Sequence, residues 1–285
     1  MFSYRHGFHA GNHADVLKHC VLASIFEYLT QKDTGLMFVD THAGAGLYDL
    51  RGEWANKRAE YLLGIGKIYD QTEAPPLVQR YLRIIRQIND QTELTLYPGS
   101  PWLAIQLARA QDRLRLFELL GAEVEVLAHN LSQQRRLPPR TIKLEQRDGF
   151  AALKSVLPPP TRRALVLLDP AYENKQDYRS VVEALKEALV RFATGCYVLW
   201  YPRVNRMQIE QMLRQIKKLP SIEWLQVDLQ VSKPPQDQHG LFGSGLLVIN
   251  PPYRLHAELQ TGLPWLASKL GVDSHAQWNL SQSKS

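Results

Sequence analysis

Cysteine is almost absent from this chain. Cys20 and Cys196 are the only two in 285 residues, too few for a disulfide framework or a cysteine-rich zinc site. No apolar run approaches the roughly 18 residues that span a bilayer. The segment from Met1 through His6 to Lys18 lacks the apolar stretch of a signal peptide, so the expectation is a cytoplasmic protein with no membrane partner. Glycine and proline are modest at 17 each, which excludes collagen and low-complexity disorder. What remains is ordinary globular composition, 45% hydrophobic and 22% charged. Lys and Arg outnumber Asp and Glu by 34 to 28, for a net charge of +6. That excess favours polyanionic partners through steering and counterion release, although many housekeeping proteins share it.

The periodicity predicts alternating strands and helices. Val16, Leu17, Val21, Leu22, Ile25, Phe26 and Leu29 have helical spacing, with Asn12 as the N-cap. Leu36–Asp40 reads as a buried strand running into the turn Gly44-Ala45-Gly46. Ser100-Pro101 opens a helix, with serine at the N-cap and proline at N1. Further strands are expected at Leu114–Glu118, Ile142–Glu145, Ala164–Leu168, Cys196–Trp200, Trp224–Val231 and Leu246–Ile249. Helical stretches such as Val181–Phe192 and Met207–Ile216 separate most of them. The expected fold is α/β: a seven-stranded, mostly parallel sheet covered by helices on both faces, in one domain spanning residues 1–285. In a nucleotide-binding βαβ unit the ribose-binding acid lies about 20 residues past the glycines. Here the candidate, Glu118, lies 72 residues past Gly46. Trp54–Asp90, helical apart from a break at Ala74-Pro75-Pro76, accounts for the surplus. Residues 51–97 are therefore read as a small helical subdomain inserted between the first two strands.

The turn Gly44-Ala45-Gly46 lets backbone approach a ligand closely. Asp49 stands where a dinucleotide fingerprint has glycine, and it repels phosphate. A cofactor with a ribose but no phosphate fits better, which points to S-adenosylmethionine. Glu118 would bind the ribose hydroxyls, and Asp148-Gly149 would accept from the adenine amino group. Either carboxylate alone is explained as a helix N-cap, but Asp40, Glu118 and Asp148 fall at three successive strand ends. The most specific signal is Asp169-Pro170-Ala171-Tyr172 after the fourth strand. Enzymes that methylate exocyclic amino nitrogens carry (Asp/Asn)-Pro-Pro-(Tyr/Phe) at this point. The amino lone pair is delocalised into the base, so two acceptors are needed to pyramidalise the nitrogen, a side-chain oxygen and a backbone carbonyl. Tyr172 would stack on the extruded base. Asn250-Pro251-Pro252-Tyr253 matches the motif better by letter. It follows the seventh strand, expected to run antiparallel, and is read as a rigid chain exit on the wrong edge of the sheet.

Four of the nine histidines, His6, His9, His13 and His19, fall in the first 19 residues. Two readings follow. His9 and His13 at i, i+4 spacing admit a metal site and hence a metal-dependent nuclease. Alternatively the helix N-terminus faces the ligand, with Lys18 and His19 near the cofactor, and Tyr4 and Arg5 free to meet a base and a phosphate.

Three longer motifs, Tyr4–His19, Asp40–Gly46 and Tyr97-Pro98-Gly99-Ser100-Pro101, resemble the RlmJ family of bacterial 23S ribosomal RNA adenine-N6 methyltransferases. The resemblance continues through Asp148-Gly149-Phe150, Arg191–Gly195 and Trp200-Tyr201-Pro202, essentially the whole chain. It implies a class I, Rossmann-like methyltransferase fold with an inserted helical subdomain, using S-adenosylmethionine and no metal. It further implies that His19, His42, Ser100, Glu118, Asp148 and Gly149 contact the cofactor. Gly44, Gly46, Lys18 and Asp169 are expected to border the same site, and by the resemblance Asp169 would be catalytic and Tyr4 would contact the substrate base. The expected partner is 23S ribosomal RNA, protein-free or in an early assembly intermediate, and the expected oligomeric state is monomeric. Ala171 departs from the family's proline, which leaves loop stiffness in question but keeps the Pro170 carbonyl. The family has also been associated with use of external DNA. A DNA-utilisation protein and a catalytically weakened nucleic-acid-binding homologue are therefore the remaining alternatives.

Overall fold

In the computed structural model, which describes residues 6–204, 207–235 and 240–283, every side chain of Ala164–Leu168 is buried. A strand so placed must be covered on both faces, and the order of elements supplies the cover. The chain runs α1 (His13–Leu29), β1 (Met37–Asp40), β2 (Leu47–Asp49), α2 (Glu53–Arg58), α3 (Ile65–Ile68), α4 (Pro76–Ile88) and β3 (Leu96–Pro98). It continues through α5 (Ser100–Leu107), β4 (Arg113–Glu118), α6 (Gly121–Gln133), β5 (Ile142–Gln146), α7 (Gly149–Val156), β6 (Ala164–Leu168), α8 (Asp177–Arg191) and β7 (Cys196–Arg203). It ends with α9 (Met207–Lys217), β8 (Trp224–Gln230), β9 (Gly243–Ile249), α10 (Leu255–Leu270) and β10 (Gln277–Gln282). None of these helices is long and apolar enough to cross a membrane.

The main sheet has the order β10-β8-β9-β7-β6-β1-β4-β5. Strands β5, β4, β1, β6 and β7 are mutually parallel, and β9 runs antiparallel to both β7 and β8. This is the Rossmann-like topology of class I methyltransferases, with β9 reversed near one edge. The sheet departs from the seven-stranded expectation by one. Strand β10 pairs antiparallel with β8, setting Trp278 opposite Leu229 and Leu280 opposite Val227. Its sequence, Gln-Trp-Asn-Leu-Ser-Gln, is mostly exposed and polar, so an edge position hides it from a reading based on apolar runs. A separate two-stranded ribbon, β2–β3, brackets α2–α4.

Alternation along each strand builds two cores. Phe38, Leu165 and Leu167 face the layer of α1, α4, α5 and α10, while Met37, Val39, Val166 and Leu168 face α7, α8 and α9. Helix α1 is buried on every side from Ala14 to Phe26, and Asn12 caps it by accepting from the Ala14 and Asp15 amides. The segment between β1 and β4 shares the first core, with Leu77, Tyr81, Leu82 and Ile85 of α4 packed into it. The contact is close enough that a Cβ on Gly262 of α10 would meet Leu77 Cδ2 at 2.6 Å.

That packing predicts cooperativity. Leu77→Ala should cost about 2–5 kcal/mol, the range for a buried leucine, and urea unfolding should remain a single transition. An earlier, separate transition in the variant would show that residues 51–97 unfold on their own.

Candidate active site

The strand order reverses between β1 and β6, and ligands of open α/β sheets bind at such switch points, outside the carboxyl ends of the strands. A cleft of about 510 Å³ opens there. Its wall carries Lys18 and His19 from α1, His42 and Gly44 from the turn after β1, Ser100 from α5, and Glu118 from the end of β4. Asp148 and Gly149 follow β5, and Asp169, Pro170 and Tyr172 follow β6. Tyr4 and Arg5 lie outside the described residues.

Lys18 organises one side. Its Nζ lies 2.9 Å from Asp15 Oδ1 and 2.6 Å from Asp169 Oδ2, and the residue is only 4% exposed. Burial opposes its charge, but the two carboxylates outweigh that penalty and hold its pKa above the ordinary lysine value. Asp15 also accepts from the Gly11 amide at 2.9 Å and pairs with His6 Nε2 at 3.0 Å. Burial raises its pKa, yet His6 and Lys18 pull it well below the carboxylate range. Asp15 was not expected as a site residue, although its i, i+3 spacing from Lys18 on a helix buried on all sides was the available signal. Among the described residues, Asp169 Oδ1 has no hydrogen-bond partner, so one acceptor faces the cleft.

The opposite side is fixed by backbone hydrogen bonds. Glu118 Oε2 accepts from the Gly44 amide at 2.9 Å, and Oε1 accepts from Leu119 and Leu120 at 2.8 and 2.9 Å. Asp148 Oδ1 caps α7 through the Phe150 amide at 2.9 Å. Leu119 and Leu120, absent from the sequence reading, and Phe150, quoted there only as part of a motif, make the apolar part of this wall. Gly149 admits no side chain, since a Cβ would sit 2.0 Å from the Thr41 carbonyl oxygen. Between the two sides, Ser100 donates to Asp40 Oδ2 at 2.6 Å. Burial, reinforced by the nearby Asp169, lifts the Asp40 pKa to about 7.

Three expectations require correction. Tyr172 is 2% exposed, its hydroxyl donates to the Trp200 carbonyl at 2.9 Å, and its ring lies 4.9 Å from that of Tyr178. Its backbone φ is +54°, an unfavourable left-handed conformation for a bulky residue. It braces the loop from behind instead of offering a stacking face; Trp200, half-buried, is also on the cleft wall. Gly46 is off the wall. Its carbonyl accepts from the Gly99 amide, and a Cβ there would meet Leu127 at 2.5 Å, so it serves the turn. The cap of α5 is Gly99, which leaves the Ser100 hydroxyl for Asp40.

The N-terminal histidines do not converge. His6 turns to Asp15, His9 Nδ1 lies 2.9 Å from Glu60 Oε2, and His19 Nδ1 lies 2.8 Å from the Tyr97 hydroxyl. His9 precedes α1, so its i, i+4 relation to His13 is not helical. Asn250 ends β9, donates to the Ala193 and Gly195 carbonyls at 2.7 Å each, and is absent from the cleft wall, while Tyr253 beside it is 96% exposed.

Buried ionisable groups make stability pH-dependent. Burial lowers the pKa of His13 to about 4 and of His19 to about 3, and lowers that of His42 as well. From about pH 6.5 down to 4 the unfolded chain protonates His13 and His19 while the folded chain does not, and His42 shifts in the same direction. Asp40 acts oppositely, because its raised pKa keeps a proton in the folded state alone. The histidines outnumber it, so stability should fall with acidification across this window. His13→Gln should flatten that limb by up to about 1.4 kcal/mol per pH unit, one proton's worth. Urea titrations at stepped pH measure it, and an unchanged slope contradicts the assignment.

Comparisons with known proteins agree with this architecture. The family described as "Ribosomal RNA large subunit methyltransferase D, RlmJ" matches residues 33–282. The chain is 45% identical over 270 residues to the ribosomal RNA large subunit methyltransferase J of Escherichia coli K12, covering 95% of this chain and 94% of that protein. It is 42% identical over 281 residues to the protein of the same name from Haemophilus influenzae, covering 98% of each. A crystal structure of the Legionella pneumophila protein LPL1258 superposes with a TM-score of 0.87 at 36% identity, covering 96% of this chain and 98% of that one. By family match, by identity over nearly its whole length and by fold, the chain belongs to the RlmJ family of large-subunit ribosomal RNA methyltransferases.

Proposed function

We propose that this protein methylates the exocyclic N6 of an adenine in 23S ribosomal RNA, acting on the extruded base. The observation that carries the reading is Asp169, held at the end of β6 by Lys18 with Oδ1 left to the cleft. S-adenosylmethionine, when bound, supplies an electrophilic methyl group. The residues present fit it. Leu119, Leu120 and Phe150 suit an adenine face, and Asp148 and Glu118 offer carboxylate oxygens to an amino group and a ribose. Gly149 makes a wall that a Cβ would disrupt, and the buried His19 Nε2 has no hydrogen-bond partner among the described residues.

The chain's contribution to the chemistry is orientation. Asp169 accepts one amino hydrogen and the Pro170 carbonyl accepts the other, which draws the nitrogen out of conjugation and aims its lone pair. Lys18 pairs with Oδ2 and so fixes which oxygen is presented. Trp200 provides the aromatic wall beside the base, with Tyr172 supporting the loop behind it. The cleft walls carry Glu118, Glu123, Asp148, Glu173 and Asp177, so phosphates of the RNA are held outside them. Arg5, with Tyr4 on the base, is the candidate for that contact, and the protein acts as a monomer on protein-free or early-assembly RNA. Ala171 leaves both acceptors in place, which argues against a homologue that has lost catalysis, and the dispersed histidines argue against a metal-dependent nuclease.

Incubation with labelled S-adenosylmethionine and protein-free large-subunit RNA from cells lacking the activity should yield N6-methyladenosine. Asp169→Ala should slow single-turnover methylation by about 10²–10³-fold, the effect of losing one oriented hydrogen-bonding group. Asn250→Ala should leave it nearly intact, and Ala171→Pro should hold or raise it. Label on another atom, or a dead Asn250→Ala beside an active Asp169→Ala, overturns the reading.

A further inference from the structure

His19 is wholly buried in α1 and makes one hydrogen bond, through Nδ1 to the Tyr97 hydroxyl at 2.8 Å. Tyr97, on β3, is in turn 3.0 Å from the hydroxyl of Tyr81 on α4, and both tyrosines are 0% exposed. Where the protons lie in this chain follows from counting partners. Among the described residues, Tyr81 has a single hydrogen-bond partner, the Tyr97 oxygen. A buried hydroxyl proton without an acceptor is costly, so Tyr81 donates to Tyr97. Tyr97 then has its own proton to place, and the acceptor within reach is His19 Nδ1. An imidazole that accepts at Nδ1 and is neutral carries its proton on Nε2. Burial, with Lys18 and His6 adding to it against Asp15, lowers the His19 pKa to about 3 and keeps the ring neutral. Nε2 is buried and has no hydrogen-bond partner among the described residues, on a residue of the cleft wall.

We infer that Tyr81 and Tyr97 are positioning residues that fix His19 in its Nε2–H form, so that it presents a neutral donor to an anionic oxygen in the cleft. The chemical class that fits is a carboxylate, as on the amino-acid end of the cofactor. The carboxylate part of this inference rests on the function proposed above; the tautomer does not. The relay also gives residues 51–97 a part in the site. Their α4 and β3 carry the two hydroxyls that set a nitrogen on α1, so this segment acts on ligand binding from behind the wall.

The test is long-range proton–nitrogen NMR of the full chain labelled with ¹⁵N-histidine, with His19 assigned by its loss in His19→Gln. In ligand-free protein, Nε2 should show the protonated-type shift and Nδ1 the unprotonated type. Tyr97→Phe should release the preference, so that both tautomers are populated. S-adenosylhomocysteine affinity should then fall about 2–10-fold, the equivalent of one modest hydrogen bond, measured well below a melting temperature that the stranded Tyr81 hydroxyl lowers. Ligand-free wild-type protein showing Nδ1–H, a result that needs no variant, overturns the inference. So does a Tyr97→Phe variant with an unchanged tautomer. If the tautomer behaves as expected but S-adenosylhomocysteine leaves Nε2 unmoved, the relay stands and the carboxylate assignment fails.

Discussion

One ammonium group, Nζ of Lys18, sits almost out of water between the carboxylates of Asp15 and Asp169. Desolvating three charges is expensive, and the arrangement survives because each is paired and Asp15 is further held by the Gly11 amide and His6. The consequences spread in both directions. Asp15 anchors the Gly11 amide and His6, so the entry to α1 is tied to the same charge. Asp169 is tied to α1 across the switch point of the sheet, so one helix and one strand end, 151 residues apart in sequence, share a fixed geometry. Removing one partner of a buried pair typically costs about 3–5 kcal/mol because the others are left uncompensated. Here the loss of Lys18 would also leave Asp15, Asp40 and Asp169 to repel one another around the cleft.

Position in the sheet explains why one of two similar motifs is at the site. Asn250-Pro251-Pro252-Tyr253 is the better match by letter, yet β9 runs antiparallel and delivers it to the edge opposite the cleft. There Asn250 ties down two carbonyls in the turn before β7. Asp169 follows a parallel strand beside the switch point, where the glycine turn, Glu118 and Asp148 also arrive. The same residue types carry chemistry in one place and close a turn in the other.

Much of this was legible in the sequence. Runs such as Ala164–Leu168 signalled doubly covered parallel strands, Asn12 signalled the start of α1, and the distance from Gly46 to Glu118 signalled the intervening helices. Of the carboxylates at successive strand ends, Glu118 and Asp148 come together in the cleft, while Asp40 is buried beneath Ser100. What escaped reading depended on tertiary partners. Strand β10 is polar because it lies on an edge, Tyr172 folds back because Trp200 and Tyr178 receive it, and Ser100 leaves its cap because Asp40 is buried beneath it. The Tyr81–Tyr97–His19 chain joins three elements whose spacing in sequence carries no sign of contact.

The central claim is that Lys18 acts through Asp169, and a double-mutant cycle on single-turnover methylation tests it directly. Lys18→Met and Asp169→Ala should each slow the reaction strongly. Once Asp169 is alanine, Lys18→Met should add almost nothing, giving a coupling close to the full effect of the lysine substitution alone. Two effects that simply multiply in the double variant would contradict the account, because Lys18 would then be acting on the reaction independently of the carboxylate it holds.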